Sequence, residues 1–155
     1  MPSYYRDPAA PEPNVQRRVG AAALIEREGS YLLERRSDDG SWGFPGGSVG
    51  EEETVLAALE REVLEETGLR VRTAELFGIF SDPSRIISYP DGNVCRVLSF
   101  VFRVEPVEGD QPVPSDESLE LGWFTRDDLS KIELFEVQRP ILEALLRRPD
   151  DVVVE

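Results

Sequence analysis

The stretch Gly47–Leu69, GSVGEEETVLAALEREVLEETGL, decides how the rest of the chain is read. Seven of its 23 residues are acidic: Glu51, Glu52, Glu53, Glu60, Glu62, Glu65 and Glu66. A helix is expected from about Thr54 to Thr67, with Gly68 placed to close it in a left-handed conformation. Glu62, Glu65 and Glu66 stand at i, i+3 and i+4, so the helix gathers them within an arc of about 100°. Val55, Ala58 and Leu59 share that arc and are expected to face inward. The carboxylates also crowd the C-terminal turns, where the helix dipole disfavours negative charge. Such a cluster is stable if a cation sits in it or if some carboxylates stay protonated, and the cation is the simpler account.

The spacing Gly, five residues, Glu, seven residues, Arg-Glu-Val-Leu-Glu-Glu-Thr-Gly-Leu resembles the complete signature box of the Nudix hydrolases. Gly47, Glu53, Arg61, Glu62, Val63, Glu65, Glu66, Gly68 and Leu69 fill every fixed position. More weakly, Trp42-Gly43-Phe44-Pro45-Gly46-Gly47 is similar to the family's approach to the box, and Glu117 to Phe124 to the stretch after its last core strands. The resemblance runs from about Arg18 to Leu146. It implies an α/β fold of the Nudix type, an α/β/α sandwich with a mixed β-sheet. It also implies a hydrolase domain over residues 17–148, between a flexible arm (1–16) and a C-terminal tail (149–155).

Composition narrows the function from another side. At 155 residues the chain is one domain, able to bury about two-thirds of its unfolded surface. No apolar run approaches a membrane span, and Met1 to Asn14 is polar and Pro-rich, with no secretory signal; a cytoplasmic protein is expected. The single cysteine, Cys95, excludes an intramolecular disulfide and reads as a packing residue. There is no histidine, which removes His-based triads, imidazole acid–base catalysis and His-ligated zinc. Acid–base work must fall to carboxylates, Lys, Tyr or a metal ion. A net charge of −14 argues against general nucleic-acid binding, which rests on Lys and Arg neutralising phosphates. It does not argue against a phosphorylated small molecule, because a bound cation reverses the local field in one cleft. A homodimer is left open.

Outside the box, Val19–Glu26 and Tyr31–Glu34 flank Arg-Glu-Gly-Ser and read as a hairpin. Ser37 to Gly43 reads as a loop, and Leu69 to Phe80 as one or two strands. Ile86–Tyr89 and Val94–Val104 flank Pro90-Asp91-Gly92-Asn93, a second hairpin. The acidic, proline-bearing segment Glu105–Ser118 is a surface loop, followed by a strand at Leu119–Phe124 and a short helix capped by Thr125. A last helix is expected over about Phe135–Arg147, with Pro140 pointing to a true start near Arg139. The valines of Asp151–Glu155 suit a sheet edge.

Carboxylates are hard oxygen ligands and suit Mg²⁺ or Mn²⁺. Glu62, Glu65 and Glu66 are the candidate ligands, joined by the Gly46 carbonyl on the strength of the resemblance. On spacing alone Arg61 pairs with Glu65 at i, i+4; the resemblance implies instead that it is buried against Glu53, fixing loop to helix. The proton acceptor is a box glutamate, Glu62 or Glu65, or Glu117 on the acidic loop. Arg18, Arg35 and Arg36 lie at strand or loop ends and are candidate phosphate grips or plain solvated arginines. Trp42, Phe44, Phe80 and Tyr89 stack on a base or fill the core. The resemblance implies hydrolysis of a nucleoside diphosphate linked to another moiety: a nucleoside triphosphate, a nucleotide sugar such as ADP-ribose, or a dinucleoside polyphosphate. The 5′ end of RNA is disfavoured by charge. The rival reading is a catalytically idle Nudix-like module that senses or binds a nucleotide; the intact acidic set argues against it.

Overall fold

The computed structural model describes all 155 residues. In chain order its strands are β1 (Ser3–Tyr4), β2 (Arg18–Arg27), β3 (Ser30–Arg36), β4 (Trp42–Gly43) and β5 (Gly46–Ser48). Helix α1 (Val55–Thr67) precedes β6 (Val71–Phe80), β7 (Ile86–Ser88), β8 (Val94–Pro106) and β9 (Ser118–Thr125). The chain ends with α2 (Arg126–Leu129), a 3₁₀ turn (Glu136–Gln138), α3 (Arg139–Arg147) and β10 (Val153–Val154).

The local chemistry explains these boundaries. Thr54 caps α1 by accepting from the Ala57 amide, and Gly68 closes it at φ 72°. The β2–β3 hairpin turns through Glu28 and Gly29, both at positive φ (53° and 79°), as the mirror-image two-residue turn demands. Thr125 caps α2 by accepting from the Asp128 amide. The expected last helix begins at Arg139 behind the 3₁₀ turn, with Pro140 in its first turn, where its missing N–H has no helical partner to lose.

Strand β2 organises the sheet. It runs parallel to β8 from Arg18↔Val97 to Ile25↔Val104. On its other edge it pairs antiparallel with β3 only at Ile25–Arg27, and with β5 at Gly20–Ala22. β3 therefore leaves β2 after three residues, and β5 takes the vacated edge. The chain between them, through β4 and Phe44-Pro45, crosses from β3 to β2 and opens a cleft there.

Alternation along β2 then sends side chains to two cores. Ala21, Ala23 and Ile25 pack with Leu32, Leu59 and Val63 beneath α1. Ala22 and Leu24 pack with Leu33, Phe77, Phe80, Ile141 and Leu145 beneath α2 and α3. The result is the expected α/β/α sandwich around a mixed sheet. Cys95 is fully buried among Ile87, Val97, Phe135 and Val137, a packing role.

Two expectations need correction. Residues 1–16, expected as a flexible arm, are laid along the body: β1 pairs with β7, and the Asn14 side chain accepts from the Val94 amide at 2.8 Å and donates to the Gly92 carbonyl. The free edge of β7 and the groups around its turn supply partners that composition does not reveal. The segment expected as a loop over Ser37–Gly43 ends in β4, which pairs with β3. No helix is long and apolar enough to cross a membrane.

Candidate functional site

Helix α1 turns two of its glutamates inward. Glu66 is 8% exposed, and its carboxylate accepts from the Gly46 amide at 2.7 Å. The Glu62 side chain is 15% exposed and accepts from Arg61 at 2.8 Å. Glu65 corrects the expectation that three carboxylates share the inner face, since its side chain is 59% exposed. At about 100° per residue it lies a full step round from Glu66, at the edge of the buried arc, beside Arg61.

Arg61 does more than either sequence alternative alone. Its guanidinium donates twice to Glu53 (2.7 and 2.8 Å), once each to Glu62 and Glu65, and to the Ser48 carbonyl at 3.1 Å. Glu53 in turn accepts from the Gly50 amide. The arginine thus ties the loop to the helix while keeping its i, i+4 pair. It holds the Glu53 carboxyl far below the usual range, at about 2.

Gly46 and Gly47 are glycines because of what lies against them. A Cβ on Gly46 would stand 2.2 Å from the Ala21 carbonyl oxygen, and one on Gly47 would stand 2.3 Å from a Glu62 carboxylate oxygen. The loop backbone therefore occupies the space directly beside the inward glutamates.

A residue that sequence reasoning missed completes the cluster. Glu34, on β3, is 7% exposed and faces the same side of the sheet as Leu32, toward α1. The signal was present: a carboxylate two residues after a core leucine falls on the core face. Burial raises the Glu34, Glu62 and Glu66 carboxyls above the ordinary carboxylate value. Their mutual repulsion adds to this, and the nearby Glu117 carboxylate pushes each of the three further the same way. Glu117 is exposed on the loop between β8 and β9, one residue before Ser118, whose hydroxyl donates to Glu34 at 2.6 Å.

A cavity of about 200 Å³ runs on from these carboxylates between β2, β7 and the 3₁₀ turn. Its lining includes Glu34, Gly46 and Gly47 at one end and the apolar Phe44, Ile87, Val97, Phe135 and Ile141 beyond. Three arginines reach it. Arg18 stacks on Tyr89 at 4.4 Å, and Arg36 stacks on Phe135 at 3.8 Å while pairing with Asp38. Arg85, also missed, is 1% exposed at the floor. It donates to the Val137, Phe80 and Val97 carbonyls and the Ser99 hydroxyl, with no carboxylate among its partners. Arg35, expected at the cleft, instead points away to Glu120 and the Gly40 carbonyl. It follows Glu34 on β3, so the pleat turns it to the opposite face. Of the candidate stacking aromatics, Phe44 and Tyr89 line the cavity, Phe80 is core, and Trp42 packs edge-on against Phe124.

Comparison with known proteins agrees with this architecture. The NUDIX domain family matches residues 15–145. A MutT-like protein of Streptomyces ambofaciens is 34% identical over 72% of this chain, which spans 65% of that relative's length. A nucleoside triphosphatase NudI of Enterobacter is 29% identical over 81% of the chain and 94% of its own length. An ADP-ribose pyrophosphatase of Methanocaldococcus jannaschii is 33% identical over 74% of the chain and 65% of its own. Among solved structures, the MutT NUDIX hydrolase of Burkholderia pseudomallei superposes with a TM-score of 0.69 at 33% identity, over 83% of this chain and 98% of that one. The MutT protein of Methanosarcina mazei gives 0.72 at 26%, over 88% and 97%. With the box filled, its arginine clamp formed, Glu62 and Glu66 turned inward beside Gly46 and Gly47, and the family model matched over most of its length, the chain belongs to the Nudix hydrolase family.

Proposed function

We propose that this protein is a divalent-cation-dependent hydrolase that cleaves the pyrophosphate linkage of a nucleoside diphosphate joined to another moiety. The observation behind the reading is the juxtaposition of inward Glu62 and Glu66 with the Gly46-Gly47 backbone at the mouth of an arginine-lined cavity. The donor set fits Mg²⁺ or Mn²⁺: hard carboxylate oxygens, with no histidine in the chain and Cys95 buried elsewhere. No three acidic side chains are gathered into a ready cage, because Glu62 is turned to Arg61 and Glu66 to the Gly46 amide. A cation would be held by Glu62 and Glu66, with Glu65 and the Gly46 carbonyl as further oxygen donors.

When bound, the cation neutralises phosphate oxygens and favours ionisation of water. The remaining work falls to the chain's own residues. Arg18 and Arg36 supply positive charge to phosphate in a protein whose net charge is −14. The apolar walls around Phe44 and Phe135 exclude water from the nucleoside. Glu117, exposed on the β8–β9 loop beside the Ser118 that bonds Glu34, takes the proton of the attacking water. The named relatives act on nucleoside triphosphates and on ADP-ribose, and both classes meet this description.

A phosphate-release screen over a nucleotide panel, with Mg²⁺ and Mn²⁺, tests the reading. Nucleotide binding without turnover across the panel would favour the idle sensing module instead. Two substitutions sharpen it. Glu117→Gln is expected to lower kcat at least about tenfold, in line with typical acid–base contributions of about 10²–10⁴, with cation affinity unchanged. Unaltered turnover at saturating cation and substrate moves the base back to Glu62 or Glu65. Gly47→Ala puts a methyl where the Glu62 carboxylate lies. Because the clash is with a flexible side-chain end, the fold should persist while cation affinity drops about tenfold, the scale of misplacing a ligand's support. A titration showing wild-type affinity in that variant removes Glu62 from the ligand set.

A further inference from the structure

The proposed function leaves Glu34 without a task, yet its burial is costly. A leucine there would bring no charge to bury; a carboxylate must be desolvated beside Glu62 and Glu66. Its side chain receives a single hydrogen bond, from the Ser118 hydroxyl at 2.6 Å, across 84 residues of sequence.

Ser118 reaches that position through a break in strand pairing. Along β3 and β9, Arg35 pairs with Glu120 but Arg36 pairs with Ser118, so Leu119 is an extra residue. This is a β-bulge, a device that re-aims a side chain and is common beside active sites. Leu119 is thrown outward, 56% exposed, and Ser118 turns inward to Glu34. The residue before Ser118 is Glu117. Its other anchors are long: its carbonyl accepts from the Ser37 amide at 3.3 Å, and its amide donates to the Ser115 hydroxyl at 3.3 Å. Upstream, the loop is next pinned at Val113, whose amide donates to the Thr67 carbonyl. Ser118 also pairs with Arg36, and its amide donates to the Ser115 carbonyl at 3.2 Å, but its 2.6 Å bond to Glu34 is the shortest of the ties beside Glu117.

We propose that the Ser118–Glu34 hydrogen bond is a latch that holds Glu117 over the inward glutamates, with Glu34 and Ser118 acting as positioning residues. The inference rests on the assignment of Glu117 as proton acceptor. The latch does not touch the reacting atoms, so its loss should lower kcat and leave KM and cation affinity in place.

The test combines kinetics with hydrogen–deuterium exchange of the metal-free protein. Ser118→Ala removes the donor, and Glu34→Leu removes the acceptor by a second route. Each should speed exchange in the 113–118 segment while leaving α1 protected. Ser118→Thr keeps the hydroxyl and should restore protection. Ser118→Ala should lower kcat about fivefold alone, part of the tenfold ascribed to Glu117, and have no further effect in a Glu117→Gln background. An equal kcat loss in both backgrounds overturns the latch, as does unchanged exchange at 113–118 in both Ser118→Ala and Glu34→Leu. Should Glu117→Gln prove silent, the base assignment fails separately, and faster exchange confined to 113–118 still upholds the latch.

Discussion

Glu66→Gln is expected to abolish nearly all turnover while making the metal-free protein more stable. The amide oxygen of glutamine can still accept from the Gly46 amide, which the carboxylate now does at 2.7 Å, so β5 stays docked on α1. Burial, with Glu34 and Glu62 beside it, pushes the Glu66 carboxyl up to about 9, so at neutral pH the metal-free fold must hold it protonated against its unfolded tendency to ionise; glutamine removes that cost. What is lost is a ligand charge. Cation stabilisation of the transition state is worth several kcal/mol. At about 1.4 kcal/mol per factor of ten, a loss of about 4 kcal/mol is about a thousandfold in kcat. The measurements are kcat at saturating Mg²⁺ or Mn²⁺, circular dichroism, and the metal-free melting temperature. Glu62→Gln and Glu65→Gln should follow in decreasing order, matching side chains that turn progressively outward, 15% and 59% exposed. Near-wild-type turnover in Glu66→Gln, with the fold intact, would remove the carboxylate from the centre of the mechanism.

That ranking shows what a sequence pattern conveys and where it stops. The ends of α1 were legible because Thr54 and Gly68 act on backbone groups only a few residues away. Both hairpins were legible for the same reason. The spacing of Glu62, Glu65 and Glu66 was legible as a helical arc, but the edge of the buried arc was not. It depends on how α1 is rolled against β2 and β5, which no local pattern specifies. Glu34 carried a signal in its alternation with Leu32, but its meeting with Glu62 and Glu66 did not, because that depends on β5 replacing β3 beside β2. Ser118 was hidden more deeply, since a bulge changes which face a residue presents and leaves little mark in composition. Arg85 illustrates the same limit: its partners are carbonyls of Phe80, Val97 and Val137, backbone groups that carry no residue signature. The arm failed for a different reason, because a polar Pro-rich segment with little to bury still finds hydrogen-bond partners at an open strand edge.

The second large effect is a cation-linked stability whose size grows with pH. In the folded, metal-free chain, burial holds the Glu34, Glu62 and Glu66 carboxyls above their ordinary value of 4.5. From about pH 4.5 through neutrality the folded state therefore binds more protons than the unfolded one. The slope of unfolding free energy with pH follows the unfolded minus folded proton count, which is negative here. The contribution is fully present below pH 4.5 and is lost as pH rises. Asp38, Glu53 and Asp110 act oppositely: arginine partners hold each carboxyl at about 2, so their contribution is lost as pH falls. The metal-free melting temperature should accordingly peak in mildly acidic solution and decline toward about pH 8. Saturating Mg²⁺ or Mn²⁺ should flatten that decline, because a cation stabilises the ionised carboxylates and competes with protons for them. At a hundredfold excess over Kd the gain is about 2.7 kcal/mol, or roughly 5–10 °C for a chain of this size. At about pH 5 it should nearly vanish. The double variant Glu62→Gln/Glu66→Gln should melt independently of cation and show a shallower pH decline. A cation-induced shift that is flat with pH, or a metal-free melting temperature that climbs from acid to neutral, would mean that these carboxylates are not the groups a cation neutralises.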